Sequence, residues 1–196
     1  MAADRVILAY SCQPRQLPAP QRVALRAQLP YGRRMRLRGH LRTQDQTLVG
    51  IELACRLLGR LSGRSVAAGE LRFPLRGKPC APGLPEFSIS HSGAWVGCAV
   101  ATAGRVGFDL ECDAPGARRD PDDWTAREAV LKAAGARLGA YREVAIDGEM
   151  AEFAGVRWVL RRPPAPLGCV AALALEQAAE IELVTLDADP GEFRAS

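Results

Sequence analysis

The sequence predicts an α/β (α+β) protein built of two similar halves, each a small sheet packed on a long helix. Three observations predict it. Two long stretches, Asp45 to Leu61 and Trp124 to Leu138, carry helical spacing or a helical composition, and each lies among short apolar runs of strand length. Clusters of glycine and proline separate those runs. Hydrophobic residues make up 48% of the 196 positions, enough for one substantial core or two small ones built alike. No residue-level repeat is visible, so the likeness of the halves rests on the order of elements.

Val6 to Tyr10 is an apolar run suited to a strand, and Pro14, Pro18 and Pro20 lead from it to a helical segment over Gln21 to Leu29. Arg33, Arg34, Arg36, Arg38 and Arg42 then crowd one stretch, an anion-binding candidate. In the main helix of this half, Leu48, Ile51, Leu53, Cys55, Leu57 and Leu58 follow mostly helical spacing, and Gly59 and Gly63 close it. Leu71 to Phe73, Phe87 to Ser90 and Trp95 to Ala101 read as strands, divided by the loop Gly77 to Gly83 and the turn at Ser92 and Gly93. The second half begins near residue 104, giving boundaries of 1–103 and 104–196. Its first strand is Val106 to Glu111, followed by a polar loop from Cys112 to Asp123. Asp122 or Asp123 is expected to cap the second helix, which should end at Gly139. Val156 to Leu160, Cys169 to Leu175 and Ile181 to Leu186 are strands, the first two parted by Pro163, Pro164 and Pro166.

Charged residues reach 24% and the net charge is +4, a balance that demands no nucleic-acid partner. Aromatic residues are only 6%, and the arginine run holds none beyond Tyr31, so no stacking platform for bases is visible. No apolar run has the length of a membrane span, and the first residues lack the pattern of a signal peptide. The six cysteines (Cys12, Cys55, Cys80, Cys98, Cys112 and Cys169) form no CxxC pair and read as reduced, which predicts a cytoplasmic protein.

Only two of the 26 basic residues are lysines, Lys78 and Lys132, and both stand in polar clusters. A chain that writes nearly every positive charge as arginine keeps lysine where a compact ammonium is needed. On a strand, Asp109 and Glu111 would face one side while Phe108 and Leu110 face the other. On the helix, Trp124, Glu128 and Lys132 are spaced by four and share one stripe. Three carboxylates brought together repel unless a cation joins them, and Mg²⁺ with phosphate oxygens is the natural partner. Taken singly, each feature has a plainer reading. Glu128 with Lys132 is a common surface pair, Gly77-Lys78-Pro79 a turn, His91 a satisfied polar residue and the arginine run a solvated face.

Their joint order is more specific. Gly77-Lys-Pro79, Phe87-Ser-Ile-Ser-His-Ser92, Val106-Gly-Phe-Asp-Leu-Glu111 and Trp124-Thr-Ala-Arg-Glu-Ala-Val-Leu-Lys132 resemble, in sequence order, the motifs of the Sfp-type 4'-phosphopantetheinyl transferases. The resemblance covers residues 77 to 132 and weakens outside them. It implies transfer of the phosphopantetheine arm of coenzyme A to a serine of an apo acyl or peptidyl carrier protein, with release of 3',5'-ADP. It also implies that Asp109, Glu111 and Glu128 hold Mg²⁺, or Mn²⁺. Glu128, or else Glu111, would accept the serine proton, and Lys132 would contact a phosphate. Ser90, His91 and Arg33 would contact phosphates as well, His91 and Arg33 chiefly the 3'-phosphate. Gly77, Lys78 and Pro79 would line the adenine pocket, with coenzyme A between the two halves of a monomer.

Three departures accompany the resemblance. Gln46 stands where many relatives place an arginine for the 3'-phosphate, which leaves that contact to Arg33 or to Arg34, Arg36 or Arg42. Ser88 replaces an asparagine and Arg127 a lysine. The loop between Glu111 and Trp124 is short. A protein that binds coenzyme A or a carrier without transfer is the alternative, and the set Asp109, Glu111, Glu128 and Lys132 argues against it.

Overall fold

The computed structural model describes residues 4–12, 18–37, 40–75, 77–112 and 120–185. Four expectations reach beyond them: Pro14, Arg38, part of the loop after Cys112, and the end of the last strand at Leu186 lie outside the described residues.

Strand β1 (Arg5–Cys12) is buried along most of its length because both of its faces are covered. It is followed by helices α1 (Ala19–Gln28), α2 (Tyr31–Arg36) and α3 (Leu41–Ser62), then by strands β2 (Glu86–Ser92), β3 (Trp95–Ala101) and β4 (Val106–Cys112). Helix α4 (Pro121–Ala134) comes next, with strands β5 (Ala145–Asp147), β6 (Met150–Phe153), β7 (Val156–Arg161), β8 (Cys169–Leu175) and β9 (Glu180–Thr185) after it. One sheet has the order β2-β3-β1-β9 and the other β4-β8-β7-β6-β5. In the first, β1 pairs antiparallel with β3 and parallel with β9, so the last strand returns to the first sheet.

The layers follow from side-chain alternation. Ile7 and Ala9 of β1 pack with Leu48, Ile51, Ala54 and Leu58 of α3, whereas Val6, Leu8 and Tyr10 face Phe108, Leu110 and Leu173 of the second sheet. On its far side, that second sheet buries Ala172, Ala174, Trp158 and Leu160 against Ala126, Ala129, Val130 and Ala133 of α4. The order through the molecule is therefore α3, sheet, sheet, α4. Close approach requires glycine at two points. A Cβ on Gly97 would stand 2.6 Å from the Phe108 ring between the sheets, and one on Gly107 would overlap the backbone of α4 at Ala129 and Ala133.

Several boundaries differ from expectation. The cap of α4 is Asp120, whose carboxylate accepts the Asp122 N–H at 3.1 Å, because Pro121 takes the first helical turn and displaces the start upstream of Asp122 and Asp123. The helix stops at Gly135, left-handed at φ 68°, and residues Leu138–Glu143 form a 3-10 segment instead of its continuation. Leu71 to Phe73 is not a strand: Arg72 makes one isolated bridge with Cys80. The short strands β5 and β6 and the helix α2 were not legible, since none has enough residues to show a period.

The reading of all cysteines as reduced is corrected. Cys112 and Cys169 face each other directly across β4 and β8 and form a disulfide, a pairing hidden by their sequence separation of 57. Cys55, Cys80 and Cys98 are free thiols. Among the described residues no helix is long and apolar enough to cross a membrane.

Candidate functional site

The alternation predicted for Val106 to Glu111 holds. Phe108 and Leu110 enter the core between the sheets, and Asp109 projects toward α4, where it is only 2% exposed. Gly107 allows α4 to lie against β4, so Lys132 Nζ reaches Asp109 Oδ1 at 2.6 Å. Glu128, one turn earlier on α4, has its Oε1 3.6 Å from the same ammonium. Ser90 of β2 completes the group: its hydroxyl donates to Asp109 Oδ1 at 2.7 Å and accepts from Lys132 at 2.9 Å. Asp109 Oδ2 is buried and has no hydrogen-bond partner.

These charges press on one another. Desolvation, with Asp109 next, raises the Glu111 carboxyl above the usual carboxylate range, while Ser92 and Lys132 oppose it. Desolvation raises Glu128 too, with Lys132 opposing and Asp109 and Glu111 adding to the shift. A half-buried carboxylate raised in this way is a stronger base than an exposed one. Among the described residues no three His, Cys, Asp or Glu side chains are spaced to hold a metal ion between them. The donor set nonetheless fits a hard cation: the acceptors are all carboxylate oxygens, one of them orphaned. Mg²⁺ is commonly held by one or two carboxylates, with water and substrate phosphate filling the rest.

Beside this cluster lies a cavity of about 310 Å³ whose walls come from both parts of the chain, with Arg33, Gly77, Lys78, Pro79 and His91 from before residue 103 and Lys132 from after it. Burial pushes the Lys78 ammonium down from its ordinary pKa, opposed by its pairing with Glu86, and it also donates to Val106 O at 2.9 Å. Lys78 thus ties the start of β2 to the start of β4. His91 lies on the opposite face of β2 from Ser90. Desolvation first, then Lys132, holds its imidazole below the ordinary value.

The structure separates the arginines that the sequence left open. Arg33 lines the cavity, its guanidinium stands 5.2 Å from the centre of the Phe73 ring, and its Nε is buried without a partner. Desolvation and Arg36 lower its pKa, an environment that an anion would relieve. Arg36 is turned to Gly32 O and Phe73 O, and Arg34 lies over Tyr31. Arg42 and Gln46 both donate to Gly93 O, at 2.7 and 2.9 Å. Phe73 was missed as a cavity residue, because a lone phenylalanine in Arg72-Phe73-Pro74 carries no signal beyond a short apolar run. A larger cavity of about 590 Å³ lies between α1 and α3, away from the acidic cluster. Of the three arginines in its wall, Arg56, Arg60 and Arg64, the last two are paired with Glu182 and Glu70.

Fold and site together define a mixed α/β protein with an acidic, lysine-bearing cluster beside a cationic cavity. Comparison with known proteins narrows this class. Part of the chain is similar to the 4'-phosphopantetheinyl transferase Sfp of Bacillus subtilis strain 168, at 41% identity over 70 residues, which cover 30% of this chain and 31% of that protein. A second 4'-phosphopantetheinyl transferase of Bacillus subtilis is 35% identical over 79 residues, covering 39% of this chain and 35% of the relative. The matches thus span about a third of each relative's length. No family model matches the chain.

Proposed function

We propose that this protein transfers the 4'-phosphopantetheine arm of coenzyme A to a serine hydroxyl of an apo acyl or peptidyl carrier protein. The observation that carries the reading is the junction of the Asp109, Glu128 and Lys132 cluster with the cavity lined by Arg33, Lys78 and His91. Coenzyme A needs both parts: a cavity whose wall carries an unpaired cationic group such as Arg33 for its 3'-phosphate, and carboxylates that hold a divalent ion at the pyrophosphate and take a proton. Similarity to two transferases of this kind over part of the chain supports the same reading. Because both sides of the cavity come from one chain, a monomer suffices, with the coenzyme between residues 1–103 and 104–196.

In the reaction the carrier serine oxygen forms a bond to the phosphorus that bears the pantetheine arm. The bond from that phosphorus to the bridging oxygen breaks, and 3',5'-ADP leaves. Glu128, raised by burial, takes the serine proton, and Glu111 is the second candidate. Lys132 turns its ammonium to the phosphate oxygens and stabilises the charge that develops there. Arg33 and His91 hold the 3'-phosphate, and Gly77, Lys78 and Pro79 border the adenine. Mg²⁺ or Mn²⁺, held by one or two of Asp109, Glu111 and Glu128 with water and phosphate oxygens completing its shell, would neutralise the pyrophosphate.

The test is incubation with coenzyme A, Mg²⁺ and a panel of apo carrier proteins, read by intact mass. Addition of one phosphopantetheine that stops with chelator, and that Glu128→Gln abolishes while coenzyme A binding survives, is the expected result. Coenzyme A binding with no transfer to any carrier would replace the reading with that of a binding protein.

A further inference from the structure

We propose that Ser90 is a positioning residue that fixes which oxygen of Asp109 is presented to a divalent cation and where Lys132 waits. The inference rests on the transferase reading of the same site. A serine hydroxyl has one donor and two acceptor directions. Here the donor is committed to Asp109 Oδ1 and an acceptor position to Lys132 Nζ, so no O–H remains for a phosphate oxygen. Lys132 also touches Asp109 Oδ1, which makes a closed triangle of hydroxyl, ammonium and one carboxylate oxygen. The other oxygen, Oδ2, is left buried and unpartnered. Without the hydroxyl, the Asp109 carboxylate would lose the contact that sets its rotation, and either oxygen could turn to Lys132.

Ser90 can act across the two sheets because β2 presents alternate serines to β4. Ser88 Oγ accepts the Phe108 N–H at 3.0 Å, and Ser92 Oγ accepts the Cys112 N–H at 3.1 Å. β2 and β4 are edge strands of different sheets, and these hydroxyls serve β4 backbone groups in place of a ladder. Ser90, between them, is the one that joins Asp109 to Lys132, while Ser92 also hydrogen-bonds the Glu111 carboxylate. Ser88 and Ser90 therefore share a structural setting but differ in chemical reach, and this difference separates a positioning role from a packing role.

The experiment measures Mn²⁺ binding by electron paramagnetic resonance on the intact protein with saturating coenzyme A, for wild type, Ser90→Ala and Ser88→Ala. Groups that orient metal ligands typically change affinity or activity about 10–100-fold when removed, so Ser90→Ala should weaken Mn²⁺ binding at least ~10-fold. Its kcat for transfer should fall by a similar factor, with KM for coenzyme A little changed. Ser88→Ala should lower thermal stability and leave Mn²⁺ affinity as in wild type. Should Ser90→Ala not fold, Ser90→Cys, close in volume and a weak donor, carries the same expectation. Equal Mn²⁺ affinity in wild type and the Ser90 variant overturns the proposal, as does an equal loss in Ser88→Ala or no Mn²⁺ binding by the wild type. The binding arm needs no carrier protein, so a failure of transfer and a failure of the Ser90 role are told apart.

Discussion

Replacing Gly107 by alanine tests how the site is held together. The added Cβ would stand 2.9 Å from Ala133 Cβ, and closer still to the Ala129 carbonyl oxygen and the Ala133 amide nitrogen. Carbon atoms in comfortable contact are roughly 3.5–4.0 Å apart, so α4 must withdraw by about 1 Å or more. The obstacle is helix backbone, which cannot rotate aside as a side chain can. Overpacking of a well-filled core costs about 1–3 kcal/mol, and a clash with backbone belongs at the upper end, near 3 kcal/mol. For a chain of this size that is a fall in Tm of roughly 6–12 °C by thermal unfolding. Glu128 and Lys132 adjoin the two displaced residues, and the Lys132 contact to Asp109 is only 2.6 Å long. A displacement of about 1 Å at reacting groups can cost on the order of 10²-fold in rate, so transfer should fall by that factor even well below the new Tm. Gly139, with nothing within 4 Å of its built Cβ, is the control, and its alanine variant should match wild type. A Gly107→Ala protein with unchanged Tm and rate would refute the close packing of α4 on β4 as the basis of the site.

Arg33→Ala should weaken coenzyme A binding by roughly 10–100-fold, the range of a lost charge-assisted phosphate contact, while Arg42→Ala, whose guanidinium is turned to Gly93 O, should change it little. Isothermal titration of both variants decides this, and equal effects would remove Arg33 from its assigned role. Glu176 is held below the usual carboxylate range, first by hydrogen bonding from the Arg105 side chain and then from the Arg105 backbone N–H. Its stabilisation is therefore present above the unfolded value of about 4.3 and is lost as pH falls through the lower folded value. Glu176→Gln should lower stability near neutral pH by no more than about 1 kcal/mol, because the pair is partly exposed. The difference from wild type in a Tm against pH series should close on the acid side. A gap that widens on acidification would reverse the assignment.

The sequence carried the site better than the fold around it. Asp109 and Glu111 could be placed on one face because strand alternation has a fixed period, and Glu128 and Lys132 because helix spacing does. What no local pattern contains is contact between distant elements. The family resemblance implies a phosphate contact for Ser90, and nothing along the chain tells that its hydroxyl also meets Asp109 and Lys132, from β4 and α4. Lys78 stands in a Gly-Lys-Pro turn with no partner evident along the chain, and it is tied to Glu86 and Val106. Cys112 and Cys169 looked like isolated hydrophobes until β4 and β8 were paired. Gly107 sat in a recognisable motif, yet its reason, the closeness of the Ala129 to Ala133 backbone, appears only in three dimensions.

The charge balance of the cluster explains why a cation belongs in the proposed reaction. Asp109, Glu111 and Glu128 bring three carboxylates to a place where Lys132 supplies one ammonium; burial is the first cause that raises Glu111 and Glu128, and the neighbouring carboxylates add to it while Lys132 opposes it. A pyrophosphate arriving there meets like charge. Arg33 and Lys78 do not correct this: Arg33 lies at the cavity wall beside Phe73, and Lys78 is neutralised by Glu86. At a separation of about 4 Å and an effective dielectric of about 20, each unopposed pair of like charges costs roughly 4 kcal/mol, more than a typical single hydrogen bond returns. A divalent ion at Asp109 Oδ2 would reverse the sign of that local field without moving α4. The unpartnered oxygen and the excess of carboxylates thus point to the same need, positive charge at Asp109 beyond what Lys132 supplies.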